Sequence, residues 1–259
     1  MLDLPIVTTL ADTRAAVVRG ARRVGRTFHF YLSHPVTRVQ ELGTAAGERW
    51  GLPWLLYNPL VFRYYHRIAL MNAPGVMQAF TEVFPQARHV VDVGAGSGGY
   101  AAEAARRGYR VVACEHARAG RALARRQGVE AHDFNLERQS PSDVSGPFDV
   151  AYSFEVAEHL PPALGDALVR YMAGLAPIVV FTAARPNQGG IGHINEQPIE
   201  YWIERFERAG HSFDEPLTRR LHAAFLAGGA GEWLADNLAV YRRSAPSESR
   251  ATAQPRGEK

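Results

Sequence analysis

The stretch VVDVGAGSGGYA, residues 90–101, constrains the chain more than any other. Apolar residues of strand type run into Asp92, Gly94, Gly96 and Gly98 follow at alternate positions, and an alanine-rich run of helical character comes next. A backbone that passes this abruptly from strand to helix needs residues without a Cβ. The same lack of side chains lets a ligand approach the main-chain N–H groups at the helix start. The stretch therefore predicts a strand–turn–helix unit shaped for a nucleotide-like ligand.

From residue 88 onward the pattern of that unit repeats. Strands are expected at about 89–93, 110–115, 129–132, 148–153 and 178–181, and helices at about 98–107, 117–127 and 163–173, with Gly108 and Gly128 stopping the first two helices. A further helix beginning near Pro198 puts Ile199, Trp202, Ile203 and Phe206 on one face. The stretch 138–147 reads as loop. A short strand at 212–214, a helix at 217–227 and a last strand at 238–242 close the pattern. Such alternation predicts the α/β class: a doubly wound, seven-stranded, mostly parallel sheet covered by helices on both sides, with an antiparallel edge strand from the closing hairpin.

Residues 1–87 have a different texture and are expected to form a helical N-terminal region preceding a domain at 88–243. Helices are expected at about 13–24 and 36–46, and the best patterned one starts at Asn58-Pro59, with Val61, Tyr64, Tyr65 and Ile68 on one face. Ala73-Pro74-Gly75 reads as a break, after which a second helix brings Val76, Phe80, Val83 and Phe84 together. The region is rich in aromatics, among them Phe28, Phe30, Tyr31, Trp50, Trp54, Tyr57 and Phe62, which serve either as core or, for Tyr64 and Tyr65 in particular, as walls of a substrate pocket. Residues 244–259 are polar, contain proline and have nothing to bury, so a disordered tail is expected.

Composition removes several chemistries. The only lysine is Lys259, in the tail, which excludes a Schiff-base lysine and the lysine of a P-loop. The one cysteine, Cys114, falls in an expected core strand and reads as a buried, inert thiol. A net charge of +3 would allow a nucleic-acid partner, but Arg106, Arg107, Arg125 and Arg126 fall where two helices should end, where they offset the helix dipole. No nucleic-acid or membrane partner is expected, and a signal-like N-terminus and a spanning apolar run are both missing, so a cytoplasmic setting is the default. Oligomeric state cannot be read.

The glycines alone do not choose a ligand, since Gly94, Gly96 and Gly99 also fit the dinucleotide fingerprint G-x-G-x-x-G. The acids around them narrow the choice. Asp92 precedes the turn, Glu115 ends the second strand where it can accept from two ribose hydroxyls, and Asp133 with Phe134 ends the third, offering a carboxylate to an exocyclic amine and a ring to a flat base. Ligands of such sheets bind at that edge.

VDVGAGSG, Glu115, Asp133 and the segment FDVAYSFEVAEHL at 148–160 together resemble the class I S-adenosylmethionine-dependent methyltransferases, of the small-molecule type. The resemblance covers roughly residues 88–242. It implies a Rossmann-like fold with S-adenosylmethionine as cofactor: Asp92, Gly94, Ala95, Gly96 and Gly98 near its amino-acid end, Glu115 at the ribose, Asp133 and Phe134 at the adenine, and Ser153 beside the methionine portion. The implied activity is O- or N-methylation of a small-molecule acceptor.

Two segments could handle that acceptor. His159, just beyond the fourth strand, is either a general base or a histidine that orients its loop. GGIGHINEQPIEYW, residues 189–202, has the glycines of a lid and gathers His193, Asn195, Glu196 and Tyr201. His193 is the second catalytic candidate, and Asn195 and Tyr201 are substrate candidates, with helix capping the competing role for Asn195 or Glu196. His193 and Glu196 are metal-type ligands without further ligands at suitable spacing, so no metal is assigned. The competing functions are non-methyl chemistry on the same cofactor, a nicotinamide-dependent oxidoreductase and a non-catalytic binding module.

Overall fold

The computed structural model describes residues 59–136, 144, 146–190 and 192–244. The chain divides into two compact units, Met1–Leu56 and Tyr57–Lys259, and the described residues belong to the second. The helices expected at 13–24 and 36–46, the aromatics up to Tyr57 and the tail from 245 lie outside them.

Strands β1 (His89–Val93), β2 (Arg110–Cys114), β3 (Ala131–His132), β4 (Val150–Phe154), β5 (Ile178–Thr182), β6 (His211–Phe213) and β7 (Leu238–Arg243) form one sheet in the order 3-2-1-4-5-7-6. β1 to β5 pair in parallel, and β7 runs antiparallel between β5 and β6, so the reversed strand lies one place in from the edge. The helices are α1 (Pro59–Val83), α2 (Gly99–Arg106), α3 (Arg118–Arg126), α4 (Pro162–Leu175), α5 (Ile199–Arg208), α6 (Glu215–Ala227) and α7 (Glu232–Asp236). Among the described residues no helix is long and apolar enough to cross a membrane.

The sheet separates two apolar cores because successive side chains of a strand point to opposite faces. On one side Val90, Val150 and Tyr152 pack with Val76, Met77 and Phe80 of α1 and with Leu221 and Phe225 of α6. On the other, Val91, Val93, Ala151 and Phe181 pack with Leu168 and Met172 of α4 and with Trp202 and Phe206 of α5. Cys114 belongs to this second core, and burial pushes its thiol up to about 12, as an inert thiol requires. α1 thus supplies the cover for one face of the sheet. The boundary expected at residue 87 cuts through this shared core, which reaches back into α1.

α1 also runs unbroken through Ala73-Pro74-Gly75, where a break was expected. An interior proline costs roughly 3 kcal/mol through its missing N–H and ring crowding, and tertiary contacts at this point outweigh it. Asn72 Nδ2 donates to the Ile68 carbonyl at 2.8 Å, its Oδ1 accepts from the Gly231 amide at 2.7 Å, and Arg107 donates to the Pro74 carbonyl at 3.0 Å. Gly75 lets the helix meet the end of α6 backbone to backbone: a Cβ there would lie 2.2 Å from the Gly228 carbonyl oxygen.

Asp92 is the polar exception within β1. It is buried on the α1 side, where its carboxyl faces the Tyr152 hydroxyl. Burial, with a further push from the Glu115 charge, raises its carboxyl from 3.8 to about 8.

Two outcomes are expected. Gly75→Ala should destabilise the fold by about 1–3 kcal/mol, the usual cost of overpacking, read as a lower denaturant midpoint. Between pH 4 and pH 8, roughly, native Asp92 keeps a proton that the unfolded chain has released, so stability falls as pH rises through that window. Asp92→Asn should flatten this decline in denaturant melts at pH 5 to 9, and an unchanged slope would rule out a buried, protonated Asp92.

Candidate active site

β1 and β4 are adjacent in the sheet, and the chain leaves them in opposite directions, to β2 on one side and to β5 on the other. The crevice above such a reversal is where open α/β sheets bind ligands. The turn after β1 stands on one side of it and the segment after β4 on the other. They touch, since a Cβ on Gly94 would fall 2.5 Å from a methyl carbon of Val156.

The turn is tied to the end of β2. The amides of Gly94 and Ala95 both donate to the Cys114 carbonyl at 2.9 Å, and the Gly96 amide donates to Glu115 Oε2 at 2.8 Å. Glu115 Oε1 accepts from the Ala117 amide at 2.6 Å. Burial raises the Glu115 carboxyl to about 7 against the opposing pull of those two amides. Each oxygen so held keeps a lone pair for a hydroxyl donor. Gly96 has a φ of +55°, and a Cβ placed on it would meet nothing within 4 Å, so the turn is open on the side beside Glu115. An open glycine turn next to a buried carboxylate fits a ribose-bearing cofactor. Gly98 has a φ of +76° and precedes α2, and Ala95 packs with Ala101, Ala113 and Ala124.

The other expected cofactor residues are placed less uniformly. Ser153 is fully buried near the end of β4 with its hydroxyl unpartnered. Asp133 is exposed and paired with Arg121 at 2.9 Å and with His116 at 3.2 Å, which already takes up Oδ1. Phe134 is buried in the second core with its ring centroid 4.6 Å from that of Tyr171.

α1 crosses the glycine turn. His66 Nδ1 lies 2.9 Å from Ser97 Oγ, and a Cβ on Gly120 would lie 2.9 Å from both the Phe62 ring and Glu115 Cγ. Tyr65 stands 5.8 Å from Tyr64 and 6.1 Å from the His159 ring, between centroids. Phe62 and His66 are not among the site residues expected from the sequence, and their spacing of four, which puts them on one helical face, is the signal that could have found them.

Beyond β4, Glu155 has a φ of +55°, unusual for a residue with a side chain, and its carboxylate accepts from Asn237 Nδ2 at 3.1 Å through both oxygens. A 3-10 turn, Ala157–His159, follows. The Glu158 carbonyl accepts from the amides of Ile194 and Asn195 at 2.9 and 3.0 Å, which fastens the glycine-rich segment to this turn. The fastening brings the His159 and His193 rings to 5.0 Å, edge to face. His159 Nδ1 donates to the Gly192 carbonyl at 3.1 Å and His193 Nδ1 donates to Glu196 Oε1 at 2.9 Å, so each ring is held through a proton on Nδ1 and turns its Nε2 away from that partner. Burial, helped by His193 and opposed by the Gly192 carbonyl, lowers His159 to about 4. Glu158, His159 and His193 each offer an atom within 4.8 Å of the others.

Asn195 is buried, donating to the Ala157 carbonyl at 3.3 Å and accepting from Gln197 at 3.0 Å, so its amide ties the two segments together. The ring of Tyr201 lies beneath the Arg205 guanidinium, 3.2 Å from the ring centroid, and packs on Trp202 at 4.9 Å, while its hydroxyl has no partner. Both look like site residues in the sequence because polar type carries no information about direction.

Comparison with known proteins agrees with this geometry. A search of curated protein sequences finds no match. Solved structures with similar folds include the amino pentose methyltransferase CalS10 from Micromonospora echinaspora, at 21% identity and TM-score 0.55, covering 71% of this chain and 97% of that one. The sugar N-methyltransferase KedS8 from a Streptoalloteichus species matches at 18% identity and TM-score 0.52, covering 68% and 88%. The mitomycin 7-O-methyltransferase MmcR matches at 18% identity and TM-score 0.52, covering 83% and 70%. A family model described as a methyltransferase domain matches residues 64–223, from α1 through α6, and by that match the chain belongs to the methyltransferase-domain family, enzymes whose class I members use S-adenosylmethionine.

Proposed function

We propose that this enzyme methylates a hydroxyl or amine of a small-molecule acceptor, with S-adenosylmethionine held across the turn after β1. The observation that carries the reading is the open side of Gly96 beside the buried Glu115, one strand away from two imidazoles each held through Nδ1. When bound, the cofactor supplies a methyl group already activated on a sulfonium, so the protein's task is alignment and exclusion of water.

Glu115 and the Gly96 amide hold the ribose end, while Ser153 and Asp92 lie toward the amino-acid end. Tyr65, His159 and His193 form the wall that faces the acceptor. His159 is neutral across the physiological range, and its Nε2 lone pair orients an acceptor O–H or N–H toward the crevice. The similar structures are described as acting on a sugar, an amino pentose and mitomycin, which supports acceptors bearing hydroxyl or amino groups. The single, buried Cys114 supports a reducing, cytoplasmic setting.

Product analysis over a panel of hydroxylated and amino acceptors tests the reaction type. Release of S-adenosylhomocysteine is expected, whereas methylthioadenosine would establish non-methyl chemistry. Glu115→Ala should weaken binding of S-adenosylhomocysteine by about 1–3 kcal/mol, the loss of a charge-assisted hydrogen-bond pair, measured by calorimetric titration. His159→Ala and His193→Ala should leave that binding near normal and slow turnover at least about tenfold, the lower end of what a positioned proton-handling group contributes. Unchanged turnover in both would remove the imidazoles from the reaction.

A further inference from the structure

Proton handling by the two imidazoles leaves one buried group unexplained. Glu158 is completely buried, and its carboxyl meets another carboxyl, that of Glu155, rather than a cationic side chain. A buried carboxylate is normally neutralised, paired or bound to a cation. No arginine or lysine is paired with it among the described residues. One nitrogen of His159 and one of His193 lie within 4.8 Å of a Glu158 oxygen and of each other. We propose that Glu158, His159 and His193 bind a divalent metal ion.

Three further features fit a metal centre. First, both imidazoles are oriented from behind: His193 by the Glu196 carboxylate at 2.9 Å, His159 by the Gly192 carbonyl at 3.1 Å. A histidine that ligates a metal through one nitrogen donates its other N–H to a carboxylate or carbonyl of this kind. Glu196 is itself fixed by the Gly189 amide at 2.7 Å. Second, a Cβ on Gly190 would lie 2.3, 2.4 and 2.7 Å from Nε2, Cε1 and Cδ2 of His193. Such even spacing packs the Gly190 backbone against the face of the ring, which fixes the ring's plane. Third, the Glu155 carboxylate also faces Glu158, and Glu155 holds the strained φ of +55° that turns the chain there, so a second carboxylate stands beside the first. Strain of that sort is retained where the surrounding structure requires it.

Two imidazoles and a carboxylate is the donor set of first-row divalent ions such as Mn²⁺, Fe²⁺ and Zn²⁺ rather than of Mg²⁺ or Ca²⁺, which favour oxygen alone. Metal–ligand bonds of about 2.0–2.2 Å place donor atoms closer together than 4.8 Å, so the three side chains need a short convergence to close on the ion. In the sequence His193 and Glu196 have no further ligands at suitable spacing. The missing ligands lie some 35 residues earlier, on the segment after β4, which the parallel pairing of Phe154 with Thr182 sets beside the segment after β5.

The proposal concerns the same edge of the sheet as methyl transfer but does not rest on it, because metal binding is read without cofactor or acceptor. Full-length protein without a histidine tag, stripped with EDTA, would be titrated calorimetrically with Mn²⁺ and with Zn²⁺, and with Co²⁺ followed by its visible absorption. One ion per chain is expected. Glu158→Gln and His193→Ala should each weaken it at least tenfold while retaining S-adenosylhomocysteine binding, and His222→Ala, at the distant pair with Asp236, should leave it unchanged. Should Glu158→Gln fail to fold, His193→Ala alone carries the test. The absence of saturable binding by all three ions, or binding that survives the substitutions, overturns the metal site. Either result leaves the methyl-transfer reading to be judged by its own products.

Discussion

The turn after β1 is held at distances that leave no room for a methyl group. A Cβ on Gly94 would fall 2.5 Å from Val156, one on Gly98 2.8 Å from Ala124 of α3, and one on Gly99 2.8 Å from Ala69 of α1. Three elements far apart in sequence thus take their position from one glycine-rich turn. The 25 residues of α1 are laid across it in consequence, and this brings Phe62 to Glu115, His66 to Ser97 and Tyr65 to His159. Close packing of a core transmits such constraints rigidly.

Around that turn the protein keeps polar groups that an interior ordinarily rejects. Asp92 and Glu115 are buried carboxyls raised well above their ordinary range, first of all by burial. Glu115 is compensated by two backbone amides, whereas Asp92 faces the Tyr152 hydroxyl and Ser153 Oγ has no partner. Glu158, across the crevice, is buried against the Glu155 carboxyl. An unsatisfied buried polar atom costs of the order of 1–3 kcal/mol, so buried polar groups at the ligand edge of the sheet are held there at the expense of stability. Folding stability and function compete there.

Much of this was readable in the sequence. Strand β1 falls where its apolar run predicts, the glycine stops after α2 and α3 mark their ends, and Arg106, Arg125 and Arg126 occupy last helical turns as their dipole-compensating role requires. What could not be read is whatever depends on contacts between distant segments. Local chemistry at Pro74 argues for a break, and the contacts of Asn72, Arg107 and Gly228 override it. Asn195 and Tyr201 have the composition of a binding site, yet their side chains fasten the loop and the core. Conversely, Glu158 and His66 gave no linear signal, because the first acquires its neighbours from the pairing of β4 with β5 and the second from the crossing of α1 over the glycine turn.

The central claim is that the turn after β1, with Glu115, holds S-adenosylmethionine rather than the dinucleotide that its glycine spacing would also admit. Calorimetric titration of the full-length protein with S-adenosylmethionine and, separately, with NADH tests it most directly. Saturable binding of S-adenosylmethionine at one site per chain, with none of NADH, is the predicted result; saturable binding of NADH with none of S-adenosylmethionine would contradict the account.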